Sequence, residues 1–110
     1  MKKRTNLEKI MEKCLAELGY QLGIDYSYDF NLRNKYGYRI DYAFPNYKIG
    51  IECDGEHWHP LNNEHDKNRD KFFQRMKWII LRFRGCRILN NPAEIKNEIR
   101  LVIENEKNRS

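Results

Sequence analysis

The stretch YRIDYAFPNYKIGIECD, residues 38–54, decides how the rest of this chain is read. Tyr38–Phe44 and Tyr47–Asp54 are two β-type runs, rich in Ile, Tyr and Phe and separated by Pro45-Asn46, which together read as a hairpin. If the chain reverses with Phe44 opposite Tyr47, Asp41 lies opposite Gly50. Side chains alternate between faces with a period of two. One face then carries Ile40, Tyr42, Phe44, Ile49, Ile51 and Cys53, a core face, and the other carries Arg39, Asp41, Lys48, Glu52 and Asp54. Asp41 and Glu52 become diagonal neighbours about 7 Å apart, within reach of one ion. A loop longer or shorter by one residue would move Asp41 to the opposite face from Glu52, so the site depends on register.

Outward from the hairpin, the spacing predicts a helix over Thr5–Leu18, with Leu7, Ile10, Met11, Cys14, Leu15 and Leu18 at three-and-four intervals. Thr5 or Asn6 can cap it, Glu8 lies in its first turn and Gly19 ends it. Ile24–Leu32 reads as a strand and Asn34–Gly37 as a turn. After an irregular stretch, Gly55–Asn63, comes a charged helix, Glu64–Met76, whose buried contacts are expected to be Phe72, Phe73 and Met76. Trp78–Phe83 is a nearly continuous apolar strand, expected in a central position covered on both faces. Pro92 opens a final helix with Ile95, Ile99, Leu101, Val102 and Ile103 as its apolar side, and Met1–Arg4 and Glu104–Ser110 read as frayed ends. The order α-β-β-β-α-β-α indicates an α/β fold, a mixed central sheet flanked by helices, in a single domain over residues 1–110.

Composition narrows the function. Twenty-one Lys and Arg against sixteen Asp and Glu give a net charge of +5, which suggests a polyanionic partner, nucleic acid ahead of a membrane surface. Aromatics at 13% argue against disorder, and no apolar run approaches the roughly 18 residues of a membrane span. The basic start has no apolar segment after it, which speaks against a signal peptide. Cys14, Cys53 and Cys86 are widely spaced and form no CxxC pair, so a zinc site or disulfide framework is not expected. They read as small core residues of a protein in the reducing cytoplasm, a catalytic thiol being the sharper alternative.

The chemistry concentrates after the hairpin. Glu52 and Asp54 at i and i+2 on one strand, with Asp41 on its partner, are hard oxygen donors suited to Mg²⁺ or Mn²⁺, with water and substrate phosphate filling the other positions. A solvated charged face is the plain alternative. His57 and His59 flank Trp58; a histidine beside a phosphate can polarise it, position water or carry a proton. His-x-His can also suggest zinc, but oxygen-rich surroundings suit Mg²⁺ better. His65, on the charged helix, reads as a surface residue. Arg69, in Asp-Lys-Asn-Arg-Asp (66–70), can bind phosphate with a carboxylate from its own helix as partner, or belong to a solvated face with internal ion pairs. Lys67, Lys71, Arg75, Arg82, Arg84 and Arg87 are further candidates for DNA backbone contacts.

Ile-Glu-Cys-Asp-Gly-Glu-His-Trp-His (51–59), Asp-Lys-Asn-Arg-Asp (66–70) and Trp-Ile-Ile-Leu-Arg-Phe (78–83) together resemble a known family. They are similar to the small nucleases related to the very-short-patch-repair endonuclease, within the PD-(D/E)XK restriction-endonuclease-like superfamily. The resemblance runs from Thr5 to about Ile99. It implies that Asp41 is the first metal-binding aspartate and Glu52 the acidic residue of the second half-motif. Asp54 stands where the superfamily often has lysine, so that lysine's role does not carry over. His59 matches the histidine of the Trp-His pair, and Glu8 an acidic residue of the first helix that can face the site as an outer-shell or second-metal residue. The chain departs from its relatives at Tyr28-Asp29-Phe30, where glutamine is frequent, and at Lys77, which replaces a frequent glycine.

The resulting expectation is a Mg²⁺- or Mn²⁺-dependent DNA endonuclease with catalytic residues Glu8, Asp41, Glu52, Asp54 and His59. Asp41, Glu52 and Asp54 hold the metal, and Arg69, Lys67, Lys71, Arg82 and Arg84 meet DNA. A monomer or homodimer is expected, with a partner protein as a further source of specificity, in repair, restriction or a mobile element. The alternatives are a non-catalytic DNA-binding accessory module with the nuclease fold, and a protein-interaction domain with an acidic hairpin face. Setting Glu8, Asp41, Glu52 and Asp54 aside leaves 21 positive against 12 negative residues, a net of +9 around an acidic pocket.

Overall fold

The elements run α1 (Asn6–Glu17), β1 (Ser27–Asn31), β2 (Arg39–Phe44), β3 (Ile49–Asp54), α2 (Glu64–Arg75), β4 (Ile79–Arg84), α3 (Gly85–Asn90) and α4 (Pro92–Lys107). They come from a computed structural model that describes residues 3–55 and 64–109, the His65 side chain excepted. One four-stranded sheet has the order β1-β2-β3-β4, antiparallel at its first two junctions and parallel between β3 and β4. The expected mixed α/β architecture is present, extended by the short helix α3. Among the described residues no helix is long and apolar enough to cross a membrane.

Local chemistry sets α1. The Thr5 hydroxyl accepts the Glu8 N–H at 3.2 Å and the Glu8 carboxylate accepts the Thr5 N–H at 2.8 Å, a reciprocal capping box. Gly19, at φ +92°, follows the C-cap Leu18 in the left-handed conformation that glycine adopts at least cost. Met11, Cys14 and Leu15 then pack with Ile88 of α3 and Ile95, Ile99 and Ile103 of α4 on one face of the sheet, against Tyr42, Phe44, Ile49, Ile51 and Phe83. The other face is covered by α2, where Phe73 packs with Tyr38, Ile40, Ala43 and Trp78.

Several expectations change. The hairpin pairs Phe44 with Ile49, Ala43 with Gly50 and Tyr42 with Ile51, not Phe44 with Tyr47. The connection is Pro45–Lys48 rather than Pro45-Asn46, and Lys48 at φ +53° lets the longer turn close. The shift is by two residues, so the parity of every side chain on β3 survives. Extending the observed register by one pair puts Asp41 across from Glu52, nearer than the expected diagonal.

Ile40 was expected beside Tyr42 and Phe44 but belongs to the α2-side cluster. Its partner Phe30 packs there too, whereas the neighbouring pair Tyr28 and Tyr42 packs on the α1 side. Two residues apart on a regular strand point the same way; here both strands turn over at Asp29, which has φ +51°, and Asp41. On the face that carries the acids Glu52 is only 7% exposed, beneath the α2 layer, whereas Arg39, Lys48 and Asp54 are exposed.

β4 is an edge strand rather than a central one, with Ile79 and Arg82 exposed. Met76 and Leu101 are exposed because they fall outside the stripes that Phe73 and Ile95-Ile99-Ile103 define. Cys14 is buried as expected, but Cys86 is exposed. Arg4 is held by Glu12 at 3.0 Å and α4 remains helical through Lys107.

Gly50 lies under the α2 layer. A Cβ there would stand 2.8 Å from both Ile40 Cγ2 and Ile80 Cδ1. Gly50→Ala is therefore expected to destabilise the protein by about 1–2 kcal/mol through overpacking, read as a lower urea midpoint with an unchanged m-value. An unchanged midpoint would show that the two isoleucines give way freely.

Candidate active site

β2 and β3 bring two of the predicted acids together. Asp41, half-buried on β2, accepts the Cys53 N–H through Oδ2 at 3.0 Å. The β2–β3 ladder ends one pair earlier, at Tyr42 and Ile51, and the Asp41 side chain takes up the Cys53 main-chain donor beyond it. That contact sets the Asp41 carboxylate against the β3 segment carrying Glu52 and Asp54.

Glu52 is buried on the α2 side of the sheet and is ion-paired to Arg69 of α2. Arg69 was expected to find a partner in its own helix. Instead Asp70 pairs with Arg82, and Arg69 reaches inward, its Nη2 also donating to the Arg39 carbonyl at 2.8 Å. The guanidinium lies 4.8 Å from the centre of the Phe73 ring. Burial, with the neighbouring Arg82 charge, lowers the Arg69 pKa, while Asp70 and Asp41 act the other way.

Glu8 approaches from the α1 side of the sheet, where its charge, like those of Asp41 and Asp54, acts on the Cys53 thiol. It is 3% exposed, and besides closing the capping box it accepts the Tyr28 hydroxyl at 2.9 Å. Tyr42 donates toward the Glu8 carbonyl at 3.0 Å and the Glu12 carboxylate at 2.8 Å. Glu8 thereby anchors α1 to β1 and β2 on the α1 side, whereas Glu52 faces α2. Alternation in the sequence puts Tyr42 on the core face, and Tyr28 stands in the segment where relatives often have glutamine; neither signal reports the hydroxyl contacts to α1.

Asp54 ends β3 and is exposed, in register with Arg84. Lys67, Lys71 and Arg84 are exposed, while Arg87 is tied to Glu94 and Glu98, both at 2.8 Å. His57, Trp58 and His59 lie outside the described residues. Cys53 points to the α1 side, where burial first and then Asp41 raise its thiol pKa well above the ordinary range, which disfavours a thiolate nucleophile. Among the described residues no group of three or more His, Cys, Asp or Glu side chains is gathered closely enough to hold a metal ion.

A mixed sheet with three antiparallel strands and a parallel fourth, helices on both faces and an Asp–Glu pair on adjacent strands defines a restriction-endonuclease-like domain. The chain belongs to the restriction endonuclease-like family REase_MTES_1575, whose model matches residues 7–103. It is 32% identical to the type II nicking enzyme V.HpaIIP of Haemophilus parainfluenzae, over 92% of this chain and 82% of that protein. Its fold matches the catalytic domain of homing endonuclease I-Bth0305I with a TM-score of 0.65 at 19% identity, covering 94% of this chain and 98% of that one.

Proposed function

We propose that this protein is a metal-dependent DNA endonuclease that hydrolyses phosphodiester bonds, with Mg²⁺ or Mn²⁺ as cofactor. The observation that carries this reading is the Asp41 carboxylate bonded at 3.0 Å to the backbone between Glu52 and Asp54, in a domain of a restriction endonuclease-like family. The donor set suits the ion: Mg²⁺ is commonly held by one or two carboxylates, with water and substrate phosphate completing its shell. Glu52 also already attracts a positive group, the Arg69 guanidinium. Asp41 and Glu52 hold the ion in this reading, and Asp54 completes the set or orients the attacking water. When bound, the cation supplies charge stabilisation at the phosphodiester under attack.

His59 binds the phosphate or moves a proton at the leaving oxygen, a role taken from its match to the Trp-His pair. Glu8 acts from the α1 side as an outer-shell or second-metal residue, and its bond to Tyr28 steadies α1 beneath the strands. Lys67, Lys71, Arg82 and Arg84 contact the DNA backbone. The H. parainfluenzae relative is a nicking enzyme, so a single-strand cut is the first product to seek. We place the protein in the cytoplasm, acting as a monomer or homodimer in repair, restriction or a mobile element.

Supercoiled plasmid tests this directly. Open circles are expected with Mg²⁺ or Mn²⁺ and none after EDTA, activity returning when cation is restored in excess. DNA binding without cation-dependent cleavage would support the accessory module instead, and absence of DNA binding the protein-interaction domain.

A further inference from the structure

Arg69 is held from three directions in a mostly desolvated place. Its Nη2 donates to the Glu52 carboxylate and to the Arg39 carbonyl oxygen, and its guanidinium lies over the Phe73 ring. The Arg69 side chain is 15% exposed and that of Glu52 is 9% exposed. A carboxylate this buried requires a cationic partner. A divalent cation at Glu52 competes with Arg69 for the same carboxylate, and two positive charges a few ångströms apart repel strongly where water is scarce.

We infer that Arg69 is the internal counter-ion of Glu52, occupying that carboxylate until a divalent cation displaces it toward the substrate phosphodiester. The inference rests on the nuclease reading above. Arg39 and Phe73 make contacts that do not need Glu52, so the displaced guanidinium stays beside the site instead of moving into solvent. Its planar donor fork matches a phosphate. Arg69 is in this sense a positioning residue for the cation. It holds down the cation affinity of the free protein, and DNA raises that affinity by giving the displaced arginine a new partner.

Mn²⁺ binding to the free protein, followed by loss of the aqueous Mn²⁺ electron paramagnetic resonance signal, tests this in wild type, Arg69→Gln, Arg69→Lys, Glu52→Gln and the Arg69→Gln/Glu52→Gln double variant. Arg69→Gln is expected to bind Mn²⁺ at least about tenfold more tightly than wild type, a difference of about 1.4 kcal/mol. Arg69→Lys should stay near wild type, and Glu52→Gln should remove the gain. Arg69→Met, which keeps an apolar stem on Phe73, replaces Arg69→Gln if that variant does not fold. Equal or weaker Mn²⁺ binding after loss of the Arg69 charge, with binding still dependent on Glu52, overturns the counter-ion role and leaves the nuclease reading standing. Binding by none of the proteins, or binding indifferent to Glu52→Gln, overturns both.

Discussion

Plasmid nicking by Glu52→Gln is expected to fall by about a thousandfold, since stabilising charge at a phosphoryl centre contributes several kcal/mol and each 1.36 kcal/mol is tenfold in rate. The amide is isosteric and keeps an acceptor oxygen for Arg69, but lacks the charge that holds both the guanidinium and the proposed cation. Stability should fall by about 1–3 kcal/mol, the cost of weakening a buried charged hydrogen bond. The fold should persist by circular dichroism while the cleavage rate collapses. A variant that retains full activity would remove Glu52 from the site. Asp41→Asn provides a useful comparison, because the Asp41 oxygen also receives the Cys53 N–H.

Phe73→Ala should have the largest effect on stability, about 3–5 kcal/mol. Phe73 is 1% exposed, meets Phe72 edge-on at 5.4 Å and lies 6.2 Å from Tyr38. It anchors α2 to the sheet, and its ring supports Arg69. Truncation leaves a cavity that rigid neighbouring rings cannot fill, read as a large drop in the urea midpoint. Phe73→Leu, which retains most of the apolar volume, should cost well under half as much. A loss below 1 kcal/mol for Phe73→Ala would mean that α2 is held by other contacts.

The two variants probe parts of the protein that were unequally legible in the sequence. Thr5, Glu8 and the three-and-four spacing of Leu7, Met11, Cys14 and Leu15 were enough to find α1, because a capping box and a helical stripe span only a few residues. Alternation put Glu52 and Asp54 on one face of β3, and the two-residue register shift kept that face. The turn was misread because Pro45-Asn46 suggests a short reversal, while Tyr47 and Lys48 also belong to it. β4 looked central because its run is apolar, and nothing within that run reports how many strands lie beyond it.

What the sequence determined by itself was the set of local elements, the parity of the β3 side chains and the motif that marks the family. Tertiary structure decided the rest: that Asp41 bonds to the backbone of β3, that Glu8 and Glu52 serve opposite sides of the sheet, and that Arg69 belongs to Glu52 rather than to its own helix. The physical reason is range. Caps and periodicities are settled within one or two turns of chain, whereas the Arg69–Glu52 pair spans 17 residues and forms only when Phe73 seats α2 on the sheet.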